Sequence, residues 1–135
     1  MTQSNDQVPV SNQEELYVRV GGMPAFRRLS SAFYARVALD PVLRPLYPES
    51  LAEPEEHLAL FLAMYWGGPP YYLQQRGHPR LRMRHLAFSI GRRERDVWVA
   101  HMTAALDTLD IGESERAEMQ KYFEDSATFL INRQE

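Results

Sequence analysis

The chain contains no cysteine, so neither disulfide bonds nor thiolate-ligated metal centres can form among its 135 residues. This absence is in keeping with a reducing compartment. The opening stretch, MTQSNDQVPVSNQEE, has no basic segment followed by an apolar run, which a secretory signal would require. No apolar run approaches the roughly 20 residues that a membrane-spanning helix needs. We therefore expect a cytoplasmic protein without a membrane segment.

Motifs of common hydrolases and nucleotide-binding proteins are also missing. The chain has neither an HExxH zinc motif nor a GxSxG nucleophile motif. Its Gly67-Gly68 pair is followed by two prolines, which lack the backbone N–H donors that a phosphate-binding loop needs. The formal net charge of -3 and the isoelectric point near 5.8 disfavour a nucleic-acid partner, because such proteins usually present a basic field.

Lysine is nearly absent, since Lys121 is the only one and the other basic residues are all arginines. Half of these arginines fall between residues 76 and 95, where Glu94 is the only acid. Such a stretch can be a solvated surface, or it can bind carboxylates or phosphates, for which the planar guanidinium is well shaped. The members of this arginine cluster are Arg76, Arg80, Arg82, Arg84, Arg92, Arg93 and Arg95.

The hydrophobic pattern predicts helices. Apolar residues recur at steps of three and four, and no segment alternates over a length that would suit a strand. We therefore expect one all-α domain, residues 13–135, preceded by a polar, flexible extension, residues 1–12. Ser11 and Glu14 have the spacing of a capping box and should open the first helix. The expected helices carry Leu16 and Val20, Phe26 to Val37, Leu58 to Tyr65, Leu81 to Leu86, Val97 to Leu109, and Met119 to Ile131.

One long connection interrupts this pattern. The run Gly67-Gly68-Pro69-Pro70 breaks the third helix, and from Tyr71 to Phe88 the sequence is irregular and rich in aromatic residues and arginine. One short helix is expected near its end. A connection of this length inside a small domain usually serves a function.

Among the four histidines, His57, His78, His85 and His101, the surroundings of His85 are the most informative. Aliphatic and basic residues are mixed around it, including Leu81, Met83 and Arg84. A flat apolar macrocycle with two carboxylates would suit such a lining, because it needs aliphatic contacts, guanidinium groups and one imidazole for iron. On the residues alone, a surface or core role for His85 stays open, and we expect surface or core roles for His57 and His101.

Five segments resemble the group II truncated haemoglobins, and the resemblance extends from about Leu16 to about Asn132. It implies a truncated globin fold, a two-over-two helical sandwich that encloses one haem b. The most specific segment is GHPRLRMRH, which ends at His85. The five segments are FYARV at 33–37, DPVLRPLYP at 40–48, YWGGPP at 65–70, GHPRLRMRH at 77–85 and ERDVW at 94–98.

The resemblance implies a role for each matching residue. His85 corresponds to the proximal iron ligand, and Arg84 to the residue that pairs with a haem propionate. Many globins place a histidine or glutamine where this chain has Pro54, which donates no hydrogen bond and suggests a less guarded entry path. Tyr34, Tyr47 and Trp98 correspond to the distal polar groups; Tyr72 and His78 to contacts on the propionate side; and Pro54, Leu58, Phe61 and Leu62 to residues that face the ligand or line the pocket.

The implied function is binding of O2, and also of CO and NO, at the haem. Each distal hydrogen bond would contribute on the order of 1–3 kcal/mol and slow the release of ligand. We therefore expect redox chemistry, NO dioxygenation or a peroxidase-like reaction with an unidentified reductant, rather than transport. The alternatives are O2 storage or sensing, and a haem-free helical module that binds an acidic partner through the arginine cluster. The exposed faces of the last two helices could pair two copies as a homodimer.

Overall fold

The computed structural model describes residues 14–134, and within that range every regular element is helical, as the hydrophobic pattern predicts. The predicted extension, residues 1–12, and the predicted cap Ser11 lie outside the described residues. None of the described helices is both long and apolar enough to cross a membrane. In chain order the α-helices are α1, Leu16–Arg19; α2, Met23–Val37; α3, Ala52–Tyr65; α4, Tyr71–Arg76; α5, Leu81–His85; α6, Arg92–Leu106; and α7, Glu113–Phe129.

Glycine and proline set the boundary between α1 and α2. Gly21 and Gly22 adopt φ values of 109° and 77°, which residues with a Cβ atom rarely tolerate, so the chain can reverse direction there. Pro24 occupies the first turn of α2, where its missing N–H would have no helical partner. A 3-10 turn, Arg44–Leu46, follows α2 and leads towards α3.

The four long helices form the sandwich. Helix α2 packs on α3 and on α6, and α6 packs on α7. The predicted stripe of α2 is buried in this core, where Leu29, Phe33 and Val37 have no exposed surface. Burial of each such side chain contributes roughly 1.5–3 kcal/mol. The hydroxyl of Ser30, also buried, donates to the carbonyl oxygen of Glu55 at 2.7 Å and ties α2 to α3.

The irregular connection holds two short helices, α4 and α5, whereas the sequence predicts only the second. Helix α4 has six residues and begins directly after Pro70, so it is too short to show a helical period in its hydrophobic residues. Between the two helices, Gly77 and Arg80 both have positive φ values, 76° and 45°. This bend directs α5 back towards the core, where it forms one wall of a cavity.

Candidate functional site

A cavity of about 370 Å³ lies among α2, α3, α5 and α6, and its volume is within the range of roughly 300–1,000 Å³ that small-molecule sites occupy. Its walls are mainly apolar, with a few tyrosine, histidine and arginine groups. Most of the residues that the sequence predicts for the site meet here, although they come from distant parts of the chain. These are Tyr34, Tyr47, Pro54, Leu58, Phe61, Leu62, Tyr72, Arg84, His85 and Trp98.

A polar cluster of Tyr34, Tyr47 and Trp98 forms one side of the cavity. The rings of Tyr34 and Tyr47 meet edge to face, with centroids 5.4 Å apart and an interplanar angle of 87°. Tyr34 and Trp98 both act on the Tyr47 phenol, because each lowers its pKa against the effect of burial. All three residues line the cavity, and each has one hydrogen that it can donate.

Both phenols of this cluster are protonated at neutral pH. Burial is the main reason that the pKa of Tyr34 is strongly raised, and its interactions with Tyr47 add to the effect. Burial also raises the pKa of Tyr47, although the hydrogen bonds from Tyr34 and Trp98 partly offset this rise. The cluster is therefore a neutral group of hydrogen-bond donors at the cavity wall.

Aromatic packing fixes the orientation of the cluster. Phe33, fully buried in α2, contacts Tyr34 at a centroid distance of 5.0 Å and Trp98 at 5.2 Å. Phe123 of α7 supports Trp98 from the other side at 5.9 Å. Since these rings cannot rotate without disturbing the core, packing sets the directions of the Tyr34 and Trp98 side chains.

His85 presents one ring nitrogen to the same cavity. Its Nδ1 atom lies 2.6 Å from the carbonyl oxygen of Leu81, one helical turn earlier, and therefore carries the hydrogen and donates to it. The other nitrogen, Nε2, then keeps its lone pair. A backbone carbonyl bonded to Nδ1–H is a common way of orienting a histidine that binds a metal through Nε2.

Side chains of the arginine cluster also contribute to the cavity wall. Arg84 donates from Nε to the carbonyl oxygen of Pro79 at 2.7 Å and from Nη2 to that of Arg76 at 2.9 Å, so its guanidinium also holds the backbone around α5. Arg76 lies with its guanidinium 5.8 Å from the centre of the Tyr72 ring, and its Nη1 is 3.4 Å from Nε2 of His57.

Sequence reasoning did not assign Arg76, Arg95 and His57 to the cavity, which all three line. Membership of the arginine cluster was the available signal for the two arginines. His57 follows Pro54 by one helical turn and therefore shares its face of α3. Burial lowers the pKa of His57, and the nearby charge of Arg76 adds to this effect, so the imidazole is neutral at physiological pH.

Two residues predicted to contact the cofactor, His78 and Met83, do not line the cavity. Both side chains are exposed, Met83 at 56%. At 3.6 residues per turn, the cavity-facing positions of α5 are Leu81, Arg84 and His85, and Met83 falls on the opposite face. His78 precedes α5, in the bend where its carbonyl oxygen approaches Arg84.

The lining fits the macrocycle that the sequence predicts. A flat apolar ring can lie against Leu58, Phe61 and Leu62, and the Nε2 lone pair of His85 is of the type that binds iron. Carboxylate substituents would meet the guanidinium groups of Arg76 and Arg84.

Comparisons with known proteins agree with this geometry. A family model described as bacterial-like globin matches residues 15–132. The group 2 truncated hemoglobin YjbI of Bacillus subtilis is 36% identical over 114 residues, which cover 84% of this chain and 86% of that protein.

Solved structures of globins are similar to this chain in both sequence and fold. The crystal structure of a hemoglobin from Chloroflexus aurantiacus is 49% identical, with a TM-score of 0.88 over 90% of this chain and 100% of that one. A structure of a truncated oxygen-avid haemoglobin from Bacillus subtilis is 34% identical, with a TM-score of 0.84 over 88% of this chain and 100% of that one. Their agreement with the helical sandwich confirms the predicted fold.

Proposed function

This chain belongs to the bacterial-like globin family, in its group II truncated haemoglobin branch, and we propose that it holds haem b and performs redox chemistry on bound diatomic gases. Membership of the family implies haem and a gaseous ligand such as O2. The proposal goes further in naming CO and NO as additional ligands, and in naming NO dioxygenation or a peroxidase-like reaction with a separate reductant.

Specific residues would hold the cofactor. Nε2 of His85 would bind the iron, and Arg76 and Arg84 would pair with the two propionates. When bound, the haem supplies an iron that takes up diatomic gases and exchanges electrons. Pro54 and Leu58, on the cavity face of α3, would keep the ligand side apolar and exclude water.

The observation that carries the proposal is the polar cluster of Tyr34, Tyr47 and Trp98 in the same cavity as His85. Its three donors, two phenol O–H groups and one indole N–H, line the wall of the cavity and can be donated to a bound ligand. In a mainly apolar cavity such a bond is stronger than in water. Slow release suits a protein that retains its ligand for reaction, and a relative of similar fold is described as oxygen-avid.

Haem binding can be tested by the visible absorption spectrum. We expect a Soret band that shifts when CO is added to the reduced protein, and we expect this band to be lost or altered in His85→Gly. His78→Gly is the matched control, because His78 is an exposed histidine of the same connection that does not line the cavity. A wild-type protein that takes up no hemin, or an unchanged spectrum in His85→Gly, would contradict the proposal.

The role of the polar cluster can be tested by O2 dissociation rates. We expect Tyr47→Phe to raise the rate about tenfold or more, which corresponds to the loss of about 1.4 kcal/mol of ligand stabilisation. Tyr34→Phe and Trp98→Phe should also raise it, because each removes one donor from the cavity wall. Tyr71→Phe, at a half-exposed position in α4, is the control. Equal rates in the wild type and Tyr47→Phe would remove Tyr47 from the mechanism.

Storage or sensing of O2 remains the second candidate within the same family. It differs from the proposed reaction in one measurable respect, because a storage protein or sensor would not turn over NO or peroxide. Stopped-flow mixing of the oxygenated protein with NO, followed by assay for nitrate, separates the two functions.

A further inference from the structure

A second polar network, formed by Arg36, Asp40 and His101, lies outside the cavity lining. His101 Nε2 is 2.7 Å from Asp40 Oδ2, and Arg36 Nε donates to His101 Nδ1 at 2.9 Å. The side chains of His101 and Asp40 are largely buried, with 15% and 16% of their surfaces exposed. We call these three residues the outer clamp.

The partners of His101 fix its tautomer. Arg36 has only hydrogens to donate, so Nδ1 must accept and carries no hydrogen. Nε2 must then carry the hydrogen that it donates to the Asp40 carboxylate. The neutral imidazole of His101 therefore joins the guanidinium of Arg36 on α2 to the carboxylate of Asp40 on the following loop. Neither hydrogen bond can form if the imidazole ring is rotated.

The outer clamp and the polar cluster take their residues from the same three segments of the chain. Helix α2 carries Tyr34 and Arg36, and helix α6 carries Trp98 and, one turn later, His101. The chain between α2 and α3 carries the third member of each set, Asp40 at its start and Tyr47 after the 3-10 turn. Each of the three segments that supplies a donor at the cavity thus also supplies one member of the clamp.

The chain from Asp40 to Tyr47 is rigid enough to transmit this constraint. Asp40 Oδ1 accepts the backbone N–H groups of Val42 and Leu43 at 2.8 and 2.9 Å. At the other end, Arg44 donates to the carbonyl oxygens of Pro48 and Glu49 at 2.9 and 2.6 Å. Between the two ends, the backbone N–H of Arg44 donates to the Asp40 carbonyl oxygen at 2.9 Å, and the N–H of Tyr47 donates to that of Arg44 at 3.2 Å, so backbone hydrogen bonds connect position 40 to Tyr47.

We propose that Arg36, Asp40 and His101 are positioning residues that hold Tyr47 against Tyr34 and Trp98 and thereby set the direction of the Tyr47 hydroxyl in the cavity. The effect of the outer clamp on ligand release rests on the proposed function, whereas its effect on the surroundings of the Trp98 indole does not. The two can be measured separately.

The indole N–H of Trp98 offers a direct measurement. The chain has two tryptophans, so a proton–nitrogen correlation spectrum contains two indole signals, and Trp66 serves as the internal reference. In His101→Phe, recorded on the full-length protein and as the CO complex where haem is bound, we expect the Trp98 signal to shift and its hydrogen exchange to be about tenfold faster, while Trp66 stays unchanged. The O2 dissociation rate should rise several-fold in the same variant.

Matched variants separate positioning from general stability. His101→Gln keeps one acceptor and one donor, so it should return both the Trp98 signal and the O2 rate towards the wild type. Thr103→Val lies two residues further along α6 and removes a hydrogen bond from Gln120 at 2.7 Å instead. Thr103→Val should leave the Trp98 signal and the O2 dissociation rate unchanged even if it lowers the melting temperature.

If His101→Phe does not fold, Asp40→Asn replaces it, since an asparagine that presents its amide nitrogen cannot accept the His101 hydrogen while its oxygen still accepts from Val42 and Leu43. The proposal is overturned if Trp98 exchange is unchanged in the folded clamp variants, or if Thr103→Val has an equal effect. A wild-type protein that binds no O2 would defeat the proposed function, while the indole signals of the folded protein would still test the outer clamp.

Discussion

The wall of the cavity that carries Tyr34 and Trp98 is built from helices of 15 residues each, whereas the wall that carries His85 is a helix of five. Helix α2 buries a continuous apolar stripe, and α5 has no buried residue. Isolated helices shorter than about 12–15 residues are marginal in water, so α5 needs support from outside itself.

The support for α5 comes from hydrogen bonds that polar side chains make to its backbone and to the residues next to it. Asn132, just beyond α7, donates from Nδ2 to the carbonyl oxygens of His85 and Phe88 at 3.1 and 2.9 Å, and its Oδ1 accepts from Ile90 N–H at 2.9 Å. Arg84 bonds to the carbonyl oxygens that precede it. The comparison shows two ways of holding a site: on the Tyr47 side apolar packing fixes Tyr34 and Trp98, whereas hydrogen bonds from side chains to the backbone fix the His85 side.

The largest expected effect comes from removing apolar packing on the Tyr47 side. Phe33→Ala should lower the free energy of unfolding by about 3–5 kcal/mol, because Phe33 is fully buried against Tyr34 and Trp98. Leu86→Ala, at a position 63% exposed beside His85, should change it by no more than about 0.5 kcal/mol. Urea unfolding of both variants measures the difference, and similar losses would show that the two walls are stabilised alike.

A smaller and more local effect is expected on the His85 side. Asn132→Ala removes three hydrogen bonds, so amide hydrogen exchange in residues 85–90 should be about tenfold faster or more, corresponding to about 1–3 kcal/mol of local stability. Exchange in α2 should not change. Asn132→Asp keeps the acceptor for Ile90 but loses the donor, and should give an intermediate rate. An equal acceleration in α2 would mean that the walls unfold as one unit.

The smallest expected effect is on the pH dependence of stability, to which Asp40 of the outer clamp contributes. The hydrogen bond from His101, together with those from Leu43 and Val42, holds the pKa of Asp40 below its usual value, although partial burial opposes this. A lowered folded-state pKa contributes stability that is present above the ordinary aspartate value of about 3.9 and is lost as the pH falls through the folded value.

Asp40→Asn should therefore make the melting temperature less dependent on pH in the acid range, by an amount equivalent to no more than about 1 kcal/mol. Asp110→Asn, at an exposed position in the turn after α6, is the control. Thermal unfolding between pH 3 and pH 7 measures both variants. A pH dependence identical to the wild type in Asp40→Asn would show that the clamp carboxylate adds nothing to stability near neutral pH.

Much of this arrangement could be predicted without coordinates. The apolar steps of α2 predict its buried face, the glycines at 21–22 and 67–68 predict the breaks, and the segment ending at His85 predicts a residue of the cavity wall. The functional roles assigned to these residues stay predictions. Helix α4 was missed because six residues carry too little periodicity. A motif does not state which face of α5 meets the cavity, and Met83 lies on the other face.

The sequence by itself determined the long helices, their breaks and the family, because these depend on the spacing of neighbouring residues and on short motifs. Only the tertiary structure decided that Tyr34, Tyr47 and Trp98 meet at one cavity wall, and that His101 meets an aspartate 61 residues away. Such contacts depend on how α2 and α6 cross, which follows from packing the whole core rather than from any local pattern. Most of the predicted residues therefore meet in the cavity, whereas the partners and directions of the hydrogen bonds could not be predicted from the sequence.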